Sequence, residues 1–240
     1  MRRLLNPATI ARVVPREPCD IPGCVLGLQG NRTKTAIGAA VAPWIDCRGF
    51  GNAVQATGSK QGLAARVAGE LCVQMDGSDD MYAVADRDSL DFGTNDFTVG
   101  VRWYSDGSIR DNCTLFNKFA ADSANRRGYI LCYVGSTGKL GPMLDSGSVV
   151  FSSTDAQTSA GWRTALFHRN GATLTLYVNG VSQGAAGSQG TKAATSDGNL
   201  VLQGQGSSWY GADIAYAGLW VWNRALTAAE IASVSGWRSR

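Results

Sequence analysis

Cleavage of a glycosidic bond takes two carboxyl groups at a fixed separation, one to protonate the leaving oxygen and one to attack or to activate water. This chain has three glutamates, Glu17, Glu70 and Glu230, far apart and never two on one strand pattern. The aspartates Asp76, Asp79, Asp80, Asp86, Asp88 and Asp91 fall mostly in turn-like stretches. A Ser-His-Asp arrangement would need His168, the only histidine. Its spacing puts it on the same strand face as Trp162 and Leu166, a core or edge position rather than that of a base. No glycine-rich loop follows a strand and opens a helix, so a phosphate cradle has no support. No residue is assigned a catalytic role.

Binding chemistry has more to work with. Calcium takes hard oxygen donors from loops, and Asp79 and Asp80 offer two in a turn. The same pair also reads as a solvated turn, so no cofactor is expected beyond that calcium. Trp209 and Tyr210 follow the run Gly204 to Ser208. They are expected near a loop, where an aromatic face beside polar groups is suited to a sugar. The six cysteines include no CxxC, and one histidine cannot complete a Cys/His zinc set. Cys72 and Cys132 sit in alternating patterns and read as small core residues. Disulfides are not expected in a chain of this length; if one forms, Cys19 and Cys24 are the nearest pair.

The elements that must position these residues are strands. Gly161 to Gly180 is the clearest stretch. Trp162, Thr164, Leu166 and His168 alternate with Arg163, Ala165, Phe167 and Arg169. Asn170-Gly171 and Asn179-Gly180 then mark two tight turns around a strand from Thr173 to Val178. Further strands are predicted over 24–28, 71–75, 81–84, 97–104, 114–119, 129–134, 140–144, 148–152, 200–202 and 214–222. Residues 49–57 read as an irregular turn and 58–65 as a soft linker. Thr227 and Glu230 have capping-box spacing, which predicts a short helix through Ser233 or Val234. The pattern is that of an all-β, antiparallel jelly-roll sandwich.

Length and charge organise the rest. A chain of 240 residues suits one large sandwich. Its 30 glycines exceed the average of about 7% and favour short strands with tight turns. The net charge of +3 is modest and mixed, which argues against a nucleic-acid surface. No run of apolar residues is long enough for a membrane span, and no secretory signal is evident, so assembly in a cytoplasm is expected. Residues 1–20 lack a sustained period, and Pro7, Pro15 and Pro18 rule out one long helix. They read as an extended basic arm, with the jelly roll over residues 21–240. Arg2, Arg3, Leu4, Leu5, Arg12 and Arg16 are its candidate partner contacts. The arm either docks on a partner or folds back over an edge of its own sandwich.

The order of motifs from Asp76 onward resembles the concanavalin-A-like, laminin-G-like jelly rolls. The residues that carry the resemblance are Met75-Asp76-Gly77-Ser78-Asp79-Asp80, Ser89 to Gly93 with Asp96 to Val99, Gly161-Trp162 with Leu176 to Gly180, and Trp222 to Ile231. Trp44 and Asp46 leading to Gly51-Asn52 are similar to the lead-in of such domains in bacteriophage virion proteins. The resemblance implies a non-catalytic virion structural protein, a capsid decoration or a head or tail spike. Its arm would bind shell or tail proteins and its lectin-like jelly roll would face outward. A glycan-binding host-attachment module, or a free lectin, is the alternative. Host-surface glycans and a second copy of the chain, as a homo-oligomer, are compatible partners. Related glucanases carry E-x-D-x-x-E on one strand facing the groove, and this chain lacks it. The family's calcium sites often use an acidic residue before the position of Asn223, where Ala217 and Gly218 stand.

Overall fold

The computed structural model describes residues 17–108, 113–119, 128–145, 148–203 and 213–240. The arm residues Arg2, Arg3, Leu4, Leu5, Arg12 and Arg16, together with Trp209 and Tyr210, lie outside the described residues. In chain order the strands are β1 (Cys24–Gln29), β2 (Ala53–Val54), β3 (Leu63–Val67), β4 (Glu70–Asp76), β5 (Tyr82–Val84), β6 (Phe97–Ser105) and β7 (Thr114–Phe119). There follow β8 (Gly128–Val134), β9 (Lys139–Leu144), β10 (Gly161–Asn170), β11 (Thr173–Val178), β12 (Val181–Ala186), β13 (Leu200–Leu202) and β14 (Asp213–Trp222), then the helix α1 (Ala228–Gly236). All named pairings are antiparallel. One sheet runs β12-β11-β10-β6-β14-β4-β3, with β1 beside the second half of β14; the smaller runs β2-β5-β13-β7-β8-β9. This is the expected jelly-roll sandwich.

Period-2 alternation decides the layers. On β6, Phe97, Val99, Val101 and Trp103 point into the sandwich. Ala165 and Phe167 of β10 and Leu219 and Val221 of β14 join them. The core between the sheets is rich in large rings, and several of their polar tips are bonded there. Tyr82 donates to the Val41 carbonyl at 2.5 Å, Tyr216 to Leu115 at 3.1 Å, and Trp103 Nε1 to the Tyr133 hydroxyl at 3.1 Å.

The large sheet is also buried on part of its outer face. Leu166, Trp220 and Trp222 form a second cluster there with Ile21, Leu226, Ile231, Val234 and Trp237. These come from α1 and the two ends of the described chain. Helix α1 starts at a complete capping box: Thr227 accepts from the Glu230 amide, and Glu230 accepts from the Thr227 amide. Glu17 is already packed here, since its carboxylate accepts from Gln29 and Trp237.

Each outermost strand is covered by the chain's own loops. Along β3, the Gly38 amide donates to Ala64 and the Ala64 amide to Ala39. Along β12, Thr154 donates through backbone and hydroxyl to the Gln183 carbonyl. β9 is bridged at Met143–Val149 and Lys139–Ala156, and β2 at Trp44–Ala53.

Five expectations need correction. Residues 148–152 do not form a strand; the contact is a single bridge with one Val150 amide donated to Pro142. Pro142 has no N–H to return, so a ladder cannot propagate along that edge. The segments read as an irregular turn and a soft linker contain β2 and β3, and β12 was not foreseen; all three are short edge strands. The first hairpin turn is Gly171-Ala172, because Asn170 still pairs with Thr173. Asn179-Gly180 does take positive φ at both centres, 51° and 82°. The disulfide joins Cys19 to Cys47, with Cα atoms 6.6 Å apart, not to Cys24. Cys24 is buried and its thiol turns to the Leu26 carbonyl; burial pushes its pKa up to about 12. Both bonded sulfurs lie where a Cβ on Gly27 would stand, 2.4 Å away, so only glycine admits the bridge at this point of β1.

Candidate functional site

The three glutamates are all engaged in structural contacts. Glu70, at the start of β4, accepts from Arg102 Nε at 2.8 Å and NH2 at 2.5 Å, and from the Ser239 amide at 3.2 Å. Arg102 also donates to Thr164 at 2.9 Å. The pair is buried, and a buried pair holds only where its remaining hydrogen bonds are satisfied, as here. Glu230 is bidentate to Arg224 at 2.9 and 2.6 Å. Arg224, then the Thr227 cap, hold its pKa down to about 2 against its burial. Glu17 accepts from Trp237 at 2.9 Å and from Gln29 at 3.1 Å.

His168 is also accounted for. Its Nε2 meets the Leu226 carbonyl at 3.2 Å, and its ring stands edge-on to Tyr177. Burial lowers its pKa, so the neutral ring is favoured. It lies on the outer face with Leu166, beneath the chain leading into α1. The Asp86 and Asp91 carboxylates, 2.7 and 2.8 Å from Lys118 Nζ, hold a fully buried lysine.

The turn between β4 and β5 brings acidic groups together. Asp76, Asp79 and Asp80 each offer a carboxylate oxygen, and these lie within 4.8 Å of one another. The turn is shaped by its own side chains: Asp76 Oδ1 accepts from the Ser78 amide at 2.7 Å, and Asp80 Oδ2 from the Asp76 amide at 2.8 Å. Asp80 is buried while Asp79 is exposed, 3.5 Å from Lys60. Burial raises the Asp80 pKa; the Asp76 amide opposes this, and the Asp76 and Asp79 charges add to it. Three hard oxygen donors fit calcium or magnesium rather than a soft metal. Ala217 and Gly218 add no carboxylate, since a Cβ on Gly218 would stand 2.3 Å from the Trp220 ring. Asp79 and Asp80 are thus brought together with Asp76, which the sequence reading had left in a turn without a role. Asp213 pairs with Asp76 across β14 and β4; Trp209 and Tyr210 lie outside the described residues.

Sequence reasoning missed the Glu70–Arg102 pair. The only signal was one glutamate and one arginine at outward positions of strands 32 residues apart.

Comparison with known proteins agrees with this architecture. Residues 76–232 match the model of the concanavalin A-like lectin/glucanases superfamily, in its laminin G form. No curated protein sequence is a significant match. Among solved structures, Trypanosoma rangeli sialidase is similar at 17% identity and a TM-score of 0.62, over 89% of this chain and 32% of its own. The binding domain of Paraclostridial Mosquitocidal Protein 1 is similar at 13% identity and a TM-score of 0.61, over 89% and 52%. The botulinum neurotoxin serotype D ligand-binding domain, solved with N-acetylneuraminic acid, is similar at 16% identity and a TM-score of 0.65, over 89% and 50%. The chain thus spans about half or less of the length of these proteins, and the likeness is one of fold. By its matched motifs and its two-sheet sandwich, the chain belongs to the concanavalin A-like lectin/glucanase superfamily.

Proposed function

We propose that this chain is a non-catalytic, lectin-like binding module that recognises glycans. The observation that carries this reading is the fate of its carboxylates. All three glutamates are locked in structural contacts, and much of the large sheet's outer face lies beneath α1 and the chain ends. A glycosidase would need two carboxyl groups set at a fixed separation across an accessible face. The superfamily and the named binding domains support a binding role. A cation on Asp76, Asp79 and Asp80 would tie the turn between β4 and β5 together.

The test combines two assays on one preparation. A glycan array containing neutral and sialylated glycans should show selective binding, and the same glycans should release no reducing ends on incubation. Release that is abolished by one aspartate substitution would overturn the non-catalytic reading. Titration with calcium chloride should give a stoichiometric heat that Asp79→Asn removes.

The setting we propose is a virion, supported by the resemblance of the Trp44–Asn52 lead-in to phage virion domains. The basic arm would tether the jelly roll to shell or tail proteins. A chain starting at Glu17, which keeps its contacts to Gln29 and Trp237, should stay folded yet no longer co-sediment with particles; aggregation of that chain would instead favour an arm that covers its own sandwich. Assembly in a host cytoplasm would leave Cys19 and Cys47 reduced until release.

A further inference from the structure

The outer face of the large sheet is a trough rather than a plane. Trp162 on β10 donates its indole N–H to the Val67 carbonyl of β3 at 3.0 Å. β6, β14 and β4 lie between those strands. On a flat sheet four strand spacings would hold them about 19 Å apart, well beyond an indole's reach, so β3 curls over the face. One end of the trough is filled by Arg102 and Glu70, with the Arg102 guanidinium 5.3 Å from the Trp162 ring centre.

The other end carries a different set. Trp162, Tyr104, Ala215, Gln74 and Leu63 sit in one register row across β10, β6, β14, β4 and β3. Tyr104 and Trp162 meet edge-to-face, ring centres 5.5 Å apart, and both are half-buried. Ala215, small and buried, stands on β14 between Tyr104 and Gln74. Gln74 Nε2 donates to Asp213 Oδ1 at 2.7 Å, which fixes the amide at the rim.

We propose that this end of the trough is a sugar subsite, an inference that rests on the glycan-binding reading above. The rings would pack against the apolar face of one pyranose, and Gln74 and Asp213 would take its hydroxyls. Size favours a sugar over a protein partner: a stable protein interface covers about 800 Å² on each side, and this row is one residue deep and walled by β3. Charge selects the class. Asp213 and Asp76 are directly paired at the rim, so the subsite takes a neutral hexose or an amino sugar, not an acidic one.

The experiment is the array of neutral and sialylated glycans, probed with wild type, Tyr104→Ala, Tyr104→Phe and Gln74→Ala. Melting temperature is read for each, to set aside unfolding. The wild type is expected to bind neutral or amino sugars. Tyr104→Ala and Gln74→Ala should lose about tenfold or more in affinity, while Tyr104→Phe, which keeps the ring, retains binding. Wild-type binding that Tyr104→Ala and Gln74→Ala leave intact would overturn the subsite but not the function. So would binding of sialylated glycans alone. If the wild type binds no glycan, the function reading fails and takes the subsite with it. As a second readout, the bound sugar should shift the Trp162 indole N–H resonance in wild type.

Discussion

The two halves of the large sheet's outer face use the same strands and have opposite fates. One half carries Gly100, Leu166, Trp220 and Trp222 and lies under Ile21, Leu226, Ile231 and Trp237. The other carries Tyr104, Trp162, Gln74 and Leu63 and keeps solvent access. The difference lies in the chemistry of the side chains on the sheet. A Cβ on Gly100 would stand 2.8 Å from Leu166 and 3.1 Å from the Trp222 ring, so the glycine leaves those side chains room. They present an apolar layer that a second layer buries, whereas the other half carries Gln74 beside two half-buried rings. Between the halves stands the Arg102–Glu70 pair, which also holds the chain end through Ser239.

The strongest way to break this contrast is to remove the boundary. Glu70→Ala leaves Arg102 buried without its carboxylate and should cost about 3–5 kcal/mol in urea unfolding. Amides around Ser239 should exchange faster in the same variant. A loss below about 1 kcal/mol would show that the boundary does not hold the covered half. Next in size is the disulfide, which closes a separation of 28 residues. Cys19→Ser with Cys47→Ser should lower stability by about 2–4 kcal/mol, with no change in the exposure of Tyr104 to chemical modification. Unchanged stability would count against it.

Smaller effects sharpen the comparison. Thr227→Ala removes the cap of α1 and should cost about 1 kcal/mol, read by thermal unfolding. Acid tests the same corner through Glu230. Its folded pKa of about 2 lies below its usual 4.5. Its contribution is therefore complete above about pH 4.5 and lost as the pH falls towards 2. Exchange at α1 should accelerate across that window, and a flat profile would count against the Arg224 contact. The smallest effect is expected for Tyr104→Ala. At a half-buried position it should cost under about 1 kcal/mol, and a larger loss would mean that this half is packed after all.

Much of the fold could be read from local pattern, and the exceptions share a cause. Alternation located β6, β7, β10 and β14 almost to the residue, since each buries a continuous apolar row. Thr227 with Glu230 announced α1, and Asn179-Gly180 its turn, because both are contacts within a few residues. β2, β3 and β12 escaped because edge strands carry small or mixed side chains, as in Leu63 to Val67, and take their order from a neighbour. Ser148 to Ser152 misled because a missing N–H at Pro142 lies in another strand. The site was harder still. Asp79 and Asp80 were visible as a run, but Asp76 joins them only through the turn they make. Tyr104 and Trp162 lie 58 positions apart and meet only when β6 pairs with β10.

The covered sheet edges bear on crowding. A surface that carries many copies of one domain holds them at very high local concentration, where open strands would cross-link neighbours by backbone pairing. Here β3, β12, β9 and β2 each meet a loop of their own chain before they meet solvent. Copies set shoulder to shoulder would therefore meet edges whose backbone groups are in part already bonded. Their spacing would follow from whatever carries them, and each would remain a separable unit in a dense array.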